Sequence, residues 1–182
     1  MIEFDRKETT MNIRFEPLVM TTDLAIQMAA WYNDPEIVCF IHPNFTESLP
    51  HHTTPQDVMD QHVPNPDLFL YLILDDQFAI GEFSITRHFH WLLGPKEGTA
   101  WISIDIGEKS YWGKGIAKLA MAYLEEECRR LGFKRIELGV FENNLKAQTL
   151  YRKMGYVPFA RTEHMTYSQG AWRDDIRMEK FL

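Results

Sequence analysis

At 182 residues with 45% hydrophobic content, the chain is long enough to fill one core and too short for two comfortable ones. Its net charge of −7 argues against a nucleic-acid partner, which demands a basic face, and its two cysteines are too few for a disulfide framework or a cysteine-built zinc site. No apolar run reaches the roughly eighteen residues a membrane span needs, and the start Met1-Ile2-Glu3-Phe4-Asp5-Arg6-Lys7 is charged rather than signal-like, so a cytoplasmic protein without a membrane partner is expected.

Residues 1–10 read as a loose leader and 11–182 as a single domain, with Met11 an alternative start. Ile13, Phe15 and Pro17 alternate within 11–18 and predict a first strand. Thr21, Thr22 and Asp23 then cap a helix carrying Leu24, Ile26, Met28, Trp31 and Tyr32, which stops near Asn33, Asp34 and Pro35. Residues 41–50 lack periodicity and read as loop, and Pro55 opens a short helix over 55–62. The apolar run 68–74 and the segment 78–85, joined by Asp75, Asp76 and Gln77, form a hairpin. Residues 91–99 connect it to a strand over 100–106.

Ile116, Leu119, Ala120, Tyr123, Leu124, Cys128 and Leu131 recur mostly at three- and four-residue steps, a helix that Gly132 ends, with Cys128 a small core residue rather than a nucleophile. Ile136, Leu138 and Val140 alternate as the next strand, a helix covers 145–154, and a strand over 172–181 completes the sheet. The order alternates between helix and strand, an α/β (α+β) plan without internal repeats.

Within this plan Trp112-Gly113-Lys114-Gly115-Ile116-Ala117 lies between a strand and a helix start. A glycine-rich turn there presents unpaired backbone N–H groups and the positive end of a helix dipole to one small volume, which suits a phosphate. Spacing separates the ligand classes. Five residues lie between Gly107 and Gly113 where a P-loop has four, and Gly115 stands where the magnesium-binding hydroxyl belongs. A dinucleotide fold lacks its third glycine, since Lys118 occupies that place. A diphosphate ligand held without metal remains.

Residues 101–156 resemble the GNAT superfamily of acetyl-coenzyme A-dependent N-acetyltransferases. Residues 112–117 fit its Gln/Arg-x-x-Gly-x-Gly/Ala signature with Trp112 at the Gln/Arg position, and Asn144-Leu145-Lys146-Ala147 through Tyr151, Lys153, Gly155 and Tyr156 is similar to its Asn-x-x-Ala-x-x-x-Tyr-x-Lys-x-Gly-Phe segment. The Tyr111-Trp112-Gly113 run resembles the branch of ribosomal-protein N-terminal, aminoglycoside and polyamine acetyltransferases. The resemblance implies a mixed, mostly antiparallel sheet flanked by helices, with acetyl-CoA as co-substrate and no metal. It implies that Trp112, Gly113, Lys114, Gly115, Ile116 and Ala117 hold the pyrophosphate, that Asn144, Ala147 and Lys153 line the rest of the coenzyme, and that the Tyr151 hydroxyl faces the thioester sulfur.

Each residue also has a structural reading. Asn144 is a good helix N-cap, Tyr151 a core residue beside Leu150, and Lys153 a cation expected in a last helical turn. The anionic coenzyme requires local positive charge, which Lys114, Lys118, Arg152 and Lys153 supply, while the acidic remainder suits a cationic amine.

Tyrosine, with a reference pKa of about 10, can donate to a thiolate whose thiol lies near 8.5, so Tyr151 is the candidate general acid. A backbone N–H near Ile106 is the candidate oxyanion donor. An N-terminal amine is roughly one-tenth neutral at pH 7 and a lysine-like amine less than about one in a thousand, so a base is needed most for the second. Glu82 and Asp105 are its candidates, and either reads equally as an outward-facing solvated carboxylate. Asp174 falls in a Gly-x-x-x-Asp turn resembling that of the same branch. His51-His52 and His88-x-His90 lack helix-spaced partners, so no metal is expected and Phe89 and Trp91 belong to a substrate-side loop or plain surface. An enzyme acting as monomer or homodimer on a primary amine, and a non-catalytic coenzyme-binding sensor or subunit, are the two functional readings.

Overall fold

A computed structural model of the protein describes residues 11–63 and 65–182, so the leader expected over residues 1–10 lies outside the described residues. Strand β1 (Ile13–Pro17) leads into helix α1 (Thr22–Tyr32), which begins where the extended Thr21 accepts the Leu24 N–H on its side chain. The expected stop at Asn33 is also a start. Asp34 accepts the Glu36 N–H at 2.9 Å, Pro35 occupies the first turn, and α2 (Pro35–Ile41) follows at once over residues to which the sequence reading gave no element, ending where its loop of 41–50 begins. Helix α3 (Pro55–Gln61) opens on a reciprocal capping box between Thr54 and Asp57.

Strands β2 (Leu68–Asp75) and β3 (Phe78–Arg87) form the expected hairpin. With β4 (Thr99–Asp105), β5 (Arg135–Phe141), β6 (Val157–Ser168) and β7 (Ala171–Phe181) they build a seven-stranded sheet ordered β1-β2-β3-β4-β5-β7-β6. Every neighbouring pair is antiparallel except β4 and β5, which α4 (Ile116–Arg130) joins as a crossover; α5 (Leu145–Lys153) links β5 to β6. The mixed, mostly antiparallel sheet flanked by helices is thus the architecture formed. Strand β6 is the other element the sequence reading did not contain. It is a largely exposed edge strand with Pro158 inside it and two breaks of register against β7, so it shows no apolar alternation.

The parallel pairing of β4 with β5 ends at Trp101 and Glu137. Beyond that point β4 continues alongside β3 as far as Asp105, and β5 continues alongside β7 as far as Phe141. The two central strands therefore diverge and leave a cleft in the middle of the sheet.

Alternation along the strands serves two cores. Tyr71 and Ile73 of β2, with Phe83 and Ile85 of β3, pack against Ile116, Ala120, Met121, Leu124 and Cys128 of α4. Leu72, between them in sequence, joins Leu24, Met28, Trp31, Tyr32, Ile37 and Val58 on the opposite face. The α1–α3 layer thus covers one face and α4 the other. Among the described residues no helix is long and apolar enough to cross a membrane.

Candidate active site

The glycine turn forms as its sequence demands. Gly113 and Gly115 sit at φ +76° and +82°, in the left-handed region that costs an L side chain about 1–2 kcal/mol. Just before them the Trp112 indole N–H donates to the Ile106 carbonyl at 2.7 Å, tying the turn to the end of β4. Among the described residues, the backbone N–H groups of Gly113, Lys114, Gly115, Ile116 and Ala117 find no acceptor, and neither does that of Ile106. Five consecutive free donors at the N-terminus of a 15-residue helix make an anion cradle.

The cradle opens into a cavity of about 1250 Å³ in the cleft between the diverging strands. This exceeds the roughly 300–1,000 Å³ of an ordinary small-molecule site and leaves room for a long ligand together with a second reactant. Ile106, Trp112, Gly113, Gly115, Ile116 and Ala117 line one wall, Asn144, Ala147 and Tyr151 another, and Glu82 and Asp105 the region between. Lys118 also lines it. Two candidates do not. Lys114 is exposed, its ammonium 5.0 Å from the centre of the Tyr111 ring, and Lys153 is exposed on α5.

Asn144 is the helix cap of its structural reading, and it also lines the cavity. Its Oδ1 accepts the Ala147 N–H at 3.2 Å and caps α5, while its Nδ2 has no acceptor among the described residues. Tyr151 is 8% exposed, and its hydroxyl, without a partner among the described residues, is pushed up to about 12 by burial.

Glu82 and Asp105 are register partners across β3 and β4. Glu82 accepts a short hydrogen bond from the Tyr32 hydroxyl on one oxygen, and on the other faces His62 Nε2 at 3.3 Å. His62 Nδ1 lies 2.6 Å from the Val58 carbonyl. Both ring nitrogens thus face acceptors, which the imidazolium satisfies and a neutral ring does not. Burial alone lowers the His62 pKa, but the Glu82 hydrogen bond and charge and the Val58 carbonyl outweigh it, and the net shift is upward. Burial, then the Glu82 charge, raises Asp105 well above the usual carboxylate range, and its Oδ2 is buried without a partner among the described residues. Burial first, then Glu82 and Asp105, also raise the Tyr32 hydroxyl, so it stays a donor.

The sequence reading placed the acceptor pocket over roughly Trp31 to His62 with the hairpin and the C-terminal strand, but gave neither Tyr32 nor His62 a role. Tyr32 reads as one more apolar position of α1, and a lone histidine closing α3 carries no spacing signal; only the hairpin placing Glu82 opposite them reveals either. The histidines considered earlier lie elsewhere, His51 pairing loosely with Asp57 at 3.8 Å and His88 and His90 being exposed. Asp174 accepts the His164 N–H at 2.9 Å and pairs with Arg161 at 2.5 Å, contacts that pin β6 to β7.

On the far side of the carboxyl pair the cavity is lined by Ile37 and Phe40 of α2, Phe89 and Trp91 of the loop after β3, Trp101 of β4, and Asp175 and Arg177 of β7. Behind this wall Glu137, fully buried, accepts the Leu93 and Gly94 N–H groups at 2.8 and 3.1 Å and pairs with Arg135 and Arg177.

The model of the acetyltransferase (GNAT) family matches residues 26–156. An uncharacterised N-acetyltransferase of Bacillus subtilis (strain 168) is 48% identical over 48 residues, 26% of this chain and 31% of that protein. A spermine/spermidine N(1)-acetyltransferase of the same organism is 36% identical over 62 residues, 34% of this chain and 41% of that protein. The chain therefore spans less than half the length of these curated relatives. Among solved structures, the spermidine N-acetyltransferase of Vibrio cholerae in complex with CoA and spermine superposes with a TM-score of 0.74 at 18% identity, over 93% of this chain and 95% of that one. A ribosomal-protein-alanine N-acetyltransferase of Brucella melitensis gives 0.69 at 20% identity, over 94% and 99%. At these identities the likeness is one of fold.

Proposed function

The chain belongs to the acetyltransferase (GNAT) family, and from that premise we propose that it is an enzyme transferring the acetyl group of acetyl-CoA to a primary amine by direct attack, within one domain over residues 11–182. The observation that carries this reading is the run of free N–H groups at 113–117 opening into the same cavity as Glu82, Asp105 and Tyr151. In this reading the cradle and Lys118 hold the coenzyme pyrophosphate, Trp112 fixes the turn, and Asn144 Nδ2 and Ala147 contact the pantetheine arm. The Ile106 N–H stabilises the carbonyl oxygen as charge builds on it.

The amine reaches the cavity as an ammonium and gives a proton to Glu82, directly or through water. Its nitrogen then forms a bond to the carbonyl carbon as the carbon–sulfur bond breaks. Tyr151 faces the departing sulfur. At about 12 its hydroxyl is neutral at every working pH, and full transfer to a thiolate of pKa near 8.5 is uphill by about 3.5 units, roughly 5 kcal/mol. Tyr151 therefore acts chiefly as a hydrogen-bond donor to the developing thiolate, and the second amine proton ends on the sulfur.

Acetyl-CoA incubated with a panel of amines should release free thiol saturably, and calorimetry should detect coenzyme binding. Tight coenzyme binding with no thiol release from any acceptor would leave the alternative, a non-catalytic coenzyme-binding module.

A further inference from the structure

The acceptor half of the cavity carries chemistry that the reading above does not use. Phe89 stacks on Trp101 with ring centroids 4.4 Å apart, and Trp91 meets Phe89 edge to face at 6.0 Å. Phe45, on the segment after α2, reaches Trp91 from the other side, also edge to face at 6.0 Å. Trp91 is nevertheless 43% exposed and Phe45 56%. Clustered aromatics left open to solvent at the mouth of a cavity mark a binding surface.

The wall is built rigidly. The Trp91 carbonyl accepts from Arg177 Nη1 at 2.8 Å, and the next two N–H groups of the loop, those of Leu93 and Gly94, end on the buried Glu137. The Arg177 guanidinium lies 4.7 Å from the centre of Trp101, on a ring that Phe89 also stacks against. A loop that would otherwise be free to move is thus anchored to two buried charges, and its rings are fixed before any ligand arrives.

The charges of the cavity point the same way. Its carboxyl side chains are Glu36, Glu82, Asp105 and Asp175. Glu36 is paired with Lys109 at 2.6 Å, and Asp175 is paired with Arg177. Asp105, with its Oδ2 buried beside Glu82, is raised well above the usual carboxylate range. Glu82, held by the Tyr32 hydroxyl and by His62, is the carboxyl that the acetyltransferase reading places beside the amine. A polyamine presents several ammonium groups along a chain, whereas Glu36, Glu82 and Asp175 of this lobe already carry protein partners and stand beside an aromatic wall.

We propose that the acceptor is an aromatic monoamine, with its single amino group at Glu82 and its ring against Trp91, Phe89 and Phe40. This rests on the acetyltransferase reading and adds the class of its second substrate. The spermine/spermidine acetyltransferase relative does not bear on it, since that match covers 34% of this chain.

The test uses the whole chain with acetyl-CoA and four probes: phenethylamine, tryptamine, spermidine and ethanolamine. Product is followed as free thiol, and binding to the coenzyme-loaded protein is followed in parallel by tryptophan fluorescence. Phenethylamine and tryptamine should show a kcat/KM about tenfold or more above the other two. Trp91→Ala should raise KM for phenethylamine about tenfold with a much smaller change in kcat, and Trp91→Phe should restore most of it, which a general folding defect would not allow. Spermidine or ethanolamine acetylated as well as phenethylamine would overturn the proposal and leave acetyl transfer standing. Phenethylamine that quenches the fluorescence of the wild type but not of Trp91→Ala, without any thiol release, would uphold the aromatic site and remove the acetyltransferase reading. Absence of both binding and turnover with the aromatic amines overturns the proposal.

Discussion

Glu82 and Asp105 stand opposite one another across the β3–β4 ladder, two carboxyls on neighbouring strands beside one cavity. Their surroundings separate them. Glu82 faces two donors, the Tyr32 hydroxyl and His62 Nε2, whereas Asp105 has one oxygen buried without a donor among the described residues. Burial and the Glu82 charge raise Asp105 well above the usual carboxylate range. In the acetyltransferase reading proposed above, Glu82 is the base that meets the amine.

Glu82→Gln should lower kcat/KM about a hundredfold at pH 7, within the range general-base removal produces. The loss should shrink as pH rises toward the pKa of the acceptor amine, because a growing neutral fraction needs no base. A pH profile of thiol release checks this; a deficit that stays constant up to pH 10 would move Glu82 from proton transfer to substrate binding.

Asp105→Asn makes a different prediction. Asp105 is raised in the fold above its unfolded value of 3.8, so the stability it contributes is fully present below about pH 4 and is lost as pH rises through its folded pKa. The amide cannot ionise, and the variant should be about 1–3 kcal/mol more stable than the wild type at pH 8, with no advantage at pH 4. Urea unfolding at the two pH values measures it, and equal differences at both would rule out the buried acid.

Tyr151→Phe should reduce kcat about ten- to a hundredfold while the dissociation constant of the coenzyme changes less than about threefold. Tyr151 lines the cavity, and its hydroxyl has no hydrogen-bond partner among the described residues whose loss would destabilise the fold. Equal losses in kcat and coenzyme affinity would show that the hydroxyl serves binding.

Gly115→Ala should weaken coenzyme binding about tenfold. Space is not the reason, since a methyl group there meets nothing within 4 Å; the φ of +82° is. Relieving about 1–2 kcal/mol of strain re-aims the free N–H groups. Gly132, at φ +85° beyond the other end of α4 and equally unobstructed, is the control: Gly132→Ala should lower the melting temperature and leave coenzyme affinity unchanged.

Much of this was legible in the sequence because it is local. Thr21, Pro55, Asn144 and Gly132 set helix ends by short-range hydrogen bonds or backbone preference, and Gly113 with Gly115 announces the cradle by spacing alone. Helix α2 was hidden because Asp34 and Pro35 serve as both stop and start, and β6 because an exposed edge strand bends at bulges and buries too little to alternate. The environment of Glu82 was hidden for another reason. Tyr32 and His62 reach it over 50 and 20 residues of sequence, and only the packing of α1 and α3 on the hairpin brings them together.

His62 offers the last test of that packing. Its side chain is 7% exposed, with Val58 and Glu82 as acceptors on its two ring nitrogens. The folded pKa lies above the unfolded value of about 6.5, so the stability His62 contributes is complete below pH 6.5 and fades as pH climbs through the folded value. His62→Gln keeps a donor for Glu82 and removes the charge. It should cost about 1–3 kcal/mol at pH 6 and progressively less toward pH 9, seen as a flatter dependence of the urea midpoint on pH. A variant that loses the same stability at both pH values would mean that the ring serves only to fill space between α3 and β3.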